Sequence, residues 1–407
     1  MKFVFLNRDT GTGGLQTAIL RKVRWLRRNG HECVVLAASL GNLTESIQRY
    51  STVLRVSYTN YFGLSSDPIV RRAIAGADCV HTFSWDSLVL ALRIAQSEGC
   101  ALIVGVYHPR AFNFFPIPPR PYYAEFHREL LGQLDDRNVL FMNESTRGTH
   151  QVDFDRTFSN SVVLPIPIEL PIFASGARMR QRTPLRLLSV GRLVNFKRYP
   201  IGVCELIATG RWTKDQLRFS IYGDGPHRRD IEVLVSKGGI GGQVHLGGEV
   251  AYSDVGGVID LHDAFIGMGT SALEAAAVGL PTIVAPAYGD GKLVSGFFFE
   301  QTGYNYGEVA GDRPVDEVIE KLLGCTDAEF DELSQRERRA AERFGADVVM
   351  AAYISYVQSV QALPPPLPVV PSVRVLRSVF SGFATTRVPF LRGFWRRRNW
   401  HHPAQDK

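Results

Sequence analysis

The sequence predicts an α/β chain made of two tandem doubly wound domains, each a parallel sheet with helices on both faces, followed by a C-terminal basic tail. Three observations carry this. Short apolar runs of strand length alternate with segments of helical period. The alternation stops at a proline-bearing stretch, "VLPIPIELPIFASGARMRQRTP" around residues 163–184, and then restarts. The most prominent glycine loops follow an apolar run directly and open a helix, as the turns of a parallel sheet do.

The elements follow in order. "KFVFL" is the first strand, and "LQTAILRKVRWLRRNG" is a helix with Leu15, Ile19, Val23 and Leu26 on one face and Gly30 at its end. "CVVLAA", "DCVHTF", "ALIVGVYH" and "NVLFMN" read as further strands, with "DSLVLALRIAQSEG" a helix among them. The stretch 107–126, "YHPRAFNFFPIPPRPYYAEF", is too rich in proline and aromatics for a helix or a central strand. After the linker come "LRLLSVG", a helix from Pro200, "RFSIYG", the helix "PHRRDIEVLVSKGG" and "QVHLGG". The stretch "FIGMGTSALEAAAVGLPTIVAP" reads strand, glycine turn, helix, strand, with Glu274 expected in the helix's first turn. A long helical segment, 327–362, closes the body, and "LPPPLPVVP" is a stiff spacer to the tail. The expected divisions are 1–172 for the first domain, 183–345 for the second, 346–362 for a closing helix, and 363–407 for spacer and tail.

Composition narrows the function. The 407 residues, 45% of them apolar, suit two domains of ordinary size. No run of about 18 uncharged apolar residues is present, so no spanning helix is expected. The N-terminal apolar hexamer is too short for a signal-peptide core. Five scattered cysteines, none at zinc-ligand spacing, fit a reduced compartment, and a cytoplasmic location is expected. The net charge of +6 belongs to the tail: residues 372–407 hold eight Arg and Lys against one Asp, leaving the body slightly negative. A body of that sign argues against nucleic acid as a partner.

Doubly wound sheets bind ligands outside the carboxyl ends of their strands, so candidate chemistry is sought there, in a cleft expected between the domains. "GTGGLQ" brings Gly13 and Gly14 to the start of the first helix but lacks the full dinucleotide spacing and a ribose-binding acid. "SVGRLVNFKRYP" places Arg192 and Lys197 just after a strand, a pairing suited to a diphosphate. Gly269, Thr270 and Ser271 open a helix whose N-terminal N–H groups point outward with the positive dipole end. His81 and His108 both stand at strand ends, with Asp9 in the first glycine loop as a further acid–base candidate. No Ser/His/Asp or Cys/His arrangement, Walker pattern or metal cluster is readable, and no metal or cofactor is expected.

In order, "GTGGLQTAILRKVRWLRRNGHECVVLA", "SVGRLVNFKR", "YGDGPHRRDIE" and "MGTSALEAAAVGLP" resemble the GT-B-fold retaining glycosyltransferases, in particular the large fourth family, over roughly residues 1–360. The resemblance implies two Rossmann-like domains facing a cleft and transfer of a sugar from a nucleotide diphosphate sugar. It assigns Arg192 and Lys197 to the diphosphate and Glu274 to the ribose hydroxyls. Gly269, Thr270 and Ser271 would offer N–H groups near the donor, with Gly13 and Gly14 approaching from the first domain. His108 falls where the family has a histidine beside the reacting sugar. One position departs: the family's first glutamate, eight residues before the second, is Ile266, so the sugar is recognised differently there.

The partners expected are a nucleotide sugar and a glycan or lipid-linked acceptor. Residues 372–407, with six large aromatics among the arginines, are expected to hold the chain peripherally on an anionic membrane surface. The rival readings are a GT-B sugar-nucleotide epimerase and a non-catalytic partner subunit.

Overall fold

The computed structural model describes residues 1–57, 67–113, 115, 119–170 and 183–387. The linker residues 171–182, four positions of the aromatic stretch (114 and 116–118) and the tail beyond Arg387, including Arg392, Trp395 and Trp400, lie outside the described residues. The chain divides into two units, Met1–Pro167 with the segment from Ala346 onward, and Ile168–Gly345.

The first unit opens with β1 (Lys2–Asp9), α1 (Gly14–Arg28), β2 (Glu32–Ser39), α2 (Thr44–Gln48), β3 (Thr52–Arg55) and α3 (Pro68–Ile74). It continues with β4 (Cys79–Thr82), α4 (Leu88–Glu98), β5 (Ala101–Val106), α5 (Tyr122–Gln133), β6 (Val139–Phe141), α6 (Glu144–Phe154) and β7 (Val162–Val163). The seven strands are all parallel, in the order β3-β2-β1-β4-β5-β6-β7. Phe3 to Leu6 and Ala101 to Val104 are buried, the signature of strands covered on both faces. α5 corrects the expectation of no helix in the aromatic stretch. Pro121 is its N-cap, and from Tyr122 onward no proline removes a helical donor.

The second unit holds β8 (Leu185–Val190), α7 (Tyr199–Ala208), β9 (Leu217–Tyr222), α8 (Arg228–Lys237), β10 (Val244–Gly248), α9 (Val255–Asp260), β11 (Ala264–Gly267), α10 (Thr270–Ala277) and β12 (Thr282–Val284). These parallel strands run β10-β9-β8-β11-β12. A small antiparallel pair, β13 (Leu293–Val294) with β14 (Arg313–Pro314), and helices α11 (Val315–Gly324) and α12 (Asp327–Glu342) complete it. A capping box starts α12: Thr326 Oγ1 accepts from the Glu329 N–H and the Glu329 carboxylate from the Thr326 N–H. At the amino ends of the sheet, Arg186 donates two bonds of 2.8 Å to the buried Asp263 carboxylate, tying β8 to β11.

The chain then returns to the first unit with α13 (Ala346–Ala362) and α14 (Ser372–Arg387). The expected single segment 327–362 is therefore two helices, one in each unit, parted at Phe344–Gly345, where Ile168 N–H donates to Phe344 O. α13 is part of the first core: Tyr353 is fully buried and packs near Phe3 and His81. The expected separation of the tail from the core is corrected too. Leu367 and Val370 pack against the first core, Val375 belongs to it, and α14 lies along α5.

Candidate functional site

In the second unit the strand order changes direction between β8 and β11, since β8 connects onward to β9 on one side while β11 pairs on the other. That switch point is where a doubly wound sheet opens for a ligand. The loop after β8 carries Gly191, Arg192 and Lys197; the turn after β11 leads through Gly269 into α10. Ser271 Oγ ties the two together by donating to Val190 O at 2.9 Å, and Met268 O lies 3.3 Å away. Buried Tyr199 adds a second tie, its hydroxyl bonded to the Ser189 side chain and the Met268 main chain. The neighbouring turn crosses so close that a Cβ on Gly223 would stand 1.9 Å from Gly191 O, so only glycine fits there.

Two cations stand at this edge. Arg192 is exposed; Lys197 is half-buried and folds back so that a Cβ on Gly191 would lie 3.1 Å from its Nζ. Burial, and then the Arg192 charge, pulls the Lys197 pKa down to about 8. Among the described residues neither is paired with a carboxylate. Beside them, the N–H groups of Thr270 and Ser271 have no acceptor among the described residues. Gly269 differs from expectation. It caps α10 at φ 72°, but its N–H donates to Tyr306 O at 2.8 Å and is spent on holding the 303–307 loop. Glu274 is half-buried and stands in the second turn of α10, not the first, because the helix begins only at Thr270.

In the first unit, Gly13 is the N-cap of α1 and Gly14 its first residue. The loop before them is organised by Asp9, whose Oδ1 accepts from the Gly11 N–H and from Gln16 Nε2, both at 2.9 Å. His108 lies two residues beyond β5, exposed as a residue, and its Nδ1 accepts from the Arg110 N–H at 2.9 Å. A neutral ring so held carries its proton on Nε2 and presents a donor. Desolvation by the crowded loop, then the Arg110 and His150 charges, lowers its pKa to about 4; protonating Nδ1 would also break its bond, which favours the same direction. His81 leaves the list of candidates. It sits mid-strand in register with Phe5 and Ile103, fully buried, with Tyr353 OH 2.9 Å from Nδ1 and Tyr107 OH 3.2 Å from Nε2.

Residues 177–321 match the family described as glycosyl transferases group 1, and residues 12–141 match glycosyltransferase family 4. The two matches fall one in each unit, in the order the motifs set. The chain is a GT-B glycosyltransferase of the fourth-family type. Solved structures share the fold: Anabaena HepE in complex with UDP and glucose is 14% identical, covering 88% of this chain and 100% of its own, with a TM-score of 0.66. A glycosyltransferase from Rickettsia africae is 12% identical, covering 88% and 98%, at a TM-score of 0.63. Sucrose-phosphate synthase from Thermosynechococcus elongatus is 15% identical, covering 89% and 100%, at 0.62. No curated protein matches the chain by sequence.

For this GT-B glycosyltransferase, the β8–β11 edge gathers Arg192, Lys197, Gly269, Thr270, Ser271 and Glu274 on two adjacent loops and the helix they open. Sequence reasoning missed Tyr199 and the loop at 303–307, although "TGYNYG" carried a turn signal. Ile266, at the family's first glutamate position, is fully buried inside β11, so that position faces the sheet core and not a ligand.

Proposed function

We propose that this glycosyltransferase moves a hexose-type sugar from a nucleotide diphosphate sugar to a lipid-linked or polysaccharide-precursor acceptor, with retention and without a metal. The observation that carries the reading is the pair Arg192 and Lys197, two neighbouring cations with no acid paired to them among the described residues, set beside the Thr270 and Ser271 N–H groups that have no acceptor there. Two like charges held together are stabilised when an anion joins them, and a diphosphate is such an anion. As the sugar–phosphate bond breaks, negative charge grows on the leaving diphosphate, and these cations stabilise it in the role a metal takes elsewhere. Glu274 accepts from the ribose hydroxyls, Thr270 and Ser271 donate from the main chain, and in the first unit Gly13, Gly14 and His108 carry the family's remaining roles.

Retention is supported by what the bases are already doing. Inversion needs a general base to activate the acceptor. Asp9 Oδ1 already accepts from the Gly11 N–H and from Gln16 in the first turn of α1, and His108 has its lone-pair nitrogen committed to the Arg110 N–H, leaving a donor. The basic 372–407 segment supports a place on an anionic membrane surface, where a lipid-linked acceptor resides. Among the described residues no helix is long and apolar enough to cross a membrane.

Incubating the chain with a panel of nucleotide sugars and following donor and products by proton NMR tests this. Release of nucleoside diphosphate with an anomeric proton of the donor's configuration is expected. A product of opposite configuration overturns retention, an epimerised donor moves the chain to the epimerase reading, and no binding of any nucleoside diphosphate ends the donor assignment.

A further inference from the structure

Helix α14 is turned inside out. The face it lays on α5 is small and hydroxyl-rich: Val375, Ser378 and Thr385 are buried, and a Cβ on Gly382 would meet Tyr123 at 3.7 Å. The Tyr123 N–H donates to Ser381 Oγ at 3.3 Å, Arg374 pairs with Glu129 and donates to Tyr122 OH, and the Arg377 guanidinium lies 4.3 Å from the Tyr122 ring centroid. Its bulky apolar residues face the other way. Val373 is 71% exposed, Leu376 44% and Phe380 68%. Their spacing of three and four residues puts them on one stripe about 60° wide, on the side opposite the docked face. A helix that buries serine and threonine while showing phenylalanine to solvent has an apolar surface that needs a partner.

Charge selects the partner. From Leu363 to Gln405 the sequence has no Asp or Glu, and beyond the stripe it continues through Arg387, Arg392 and Arg396 to Arg398. A second copy docking stripe to stripe would bring one acid-free, arginine-bearing segment against another. A single-stranded nucleic acid would use stacking rings but has no use for Val373 and Leu376. An anionic lipid leaflet satisfies both features, since an interfacial helix sinks its apolar face about 5–10 Å into the headgroup–acyl boundary while arginines reach the phosphates.

We propose that α14 is an in-plane membrane-docking helix whose Val373, Leu376 and Phe380 enter an anionic leaflet while its opposite face stays bound to α5. This rests on the membrane-surface reading above and deepens it: the first unit is held by a docked helix in a fixed attitude, not tethered by a loose charged tail.

Sedimentation of the full chain with vesicles of phosphatidylcholine, alone or mixed with phosphatidylglycerol, at low and high salt tests it. Leu376→Ser/Phe380→Ser is the variant, because both side chains project outward and their change leaves the α5 contact intact. The parent should bind the mixed vesicles and keep part of that binding at high salt. The double variant should bind about tenfold or more weakly and lose the salt-resistant part, with its thermal unfolding and nucleoside diphosphate affinity unchanged. Undiminished binding by the double variant overturns the stripe while the charged-tail reading survives. Absence of parent binding to either vesicle removes both. Equal binding to phosphatidylcholine alone overturns the anionic leaflet as partner, and a dimer of the parent that the double variant abolishes assigns the stripe to a second copy.

Discussion

Lys22 and Lys197 are both pulled below the ordinary lysine range by burial, to about 7 and about 8, in surroundings that otherwise share little. Lys22 lies within α1 under the α13 helix, with its Nζ 4.0 Å from the Tyr353 ring centroid and Cys79 and His81 nearby. Lys197 lies in a loop at the carboxyl end of β8, with a second cation beside it and helix N–H groups across the switch point. The comparison teaches that a depressed pKa records first of all desolvation, which Lys22 and Lys197 share, and does not by itself mark a binding group. What makes one lysine a ligand group is its place at the strand edge, where an anion can restore the lost solvation.

The largest expected effect lies in the first unit and bounds the comparison from outside. His108→Ala should lower turnover on the order of a hundredfold, the cost of removing one preorganised donor to developing charge, with much less change in donor affinity. His108→Gln, which keeps a donor, should recover part of it. Single-turnover kinetics beside calorimetry separates the two quantities, and near-normal turnover in the Ala variant would return His108 to a loop-structuring role.

Next come the cations themselves. Lys197→Ala, or Arg192→Ala, should weaken nucleoside diphosphate binding roughly ten- to hundredfold, since each removes a charge-assisted bond. Because the pKa of free Lys197 is lowered, its charge is present below about pH 8 and lost above it, so parent affinity should fall as the pH rises through that value. The Lys197→Ala variant should lack this alkaline fall. Titration calorimetry across the range decides it; an identical pH profile in parent and variant takes Lys197 out of the site.

A smaller effect is expected at Glu274. A 2′,3′-dideoxy nucleoside diphosphate should bind several-fold more weakly than its parent, and Glu274→Gln should narrow the gap. If the unaltered chain binds both ligands alike, the ribose assignment fails.

Lys22→Met should leave ligand affinity untouched, which makes it the sharpest contrast with Lys197. Its effect is on stability. The folded-state pKa of Lys22 is lowered from 10.5 to about 7, so folding is penalised fully below about pH 7 and progressively less towards pH 10.5. The Met variant should therefore melt at a higher temperature than its parent, with a wider margin in mildly acidic than in alkaline buffer. A variant that binds nucleotide poorly would erase the distinction between the two lysines.

Much of this architecture was legible because buried parallel strands are written as continuous apolar runs, as in β1, β2 and β5, while β8 and β9 keep their apolar residues around Arg186, Ser189, Arg218 and Ser220. The four-residue β3 and two-residue β7 left no such run. α5 was hidden behind the prolines that precede it. His81 and His108 looked alike in sequence, each at the end of an apolar run; register separated them, one mid-sheet and one past the edge. Arg192 and Lys197 were readable from their place after a strand, whereas the Tyr199 and Ser271 ties are contacts between distant segments that no local pattern carries. α14 was the hardest to read, because its core-facing side is serine, glycine and threonine.

The crossing of the chain between units, out at Pro167 and back at Ala346, makes the second unit an insertion in the first. On a ribosome the first sheet is complete in sequence long before α13 exists. The 178 residues from Ile168 to Gly345 must be added in between, roughly 10–40 s of elongation. Throughout that interval the nascent chain lacks Tyr353, so the surface of Phe3, Lys22 and His81 that this ring covers stands open to water and to chaperones. The inserted unit is contiguous and can close as soon as it emerges, so the part of the chain made first is the part that finishes folding last.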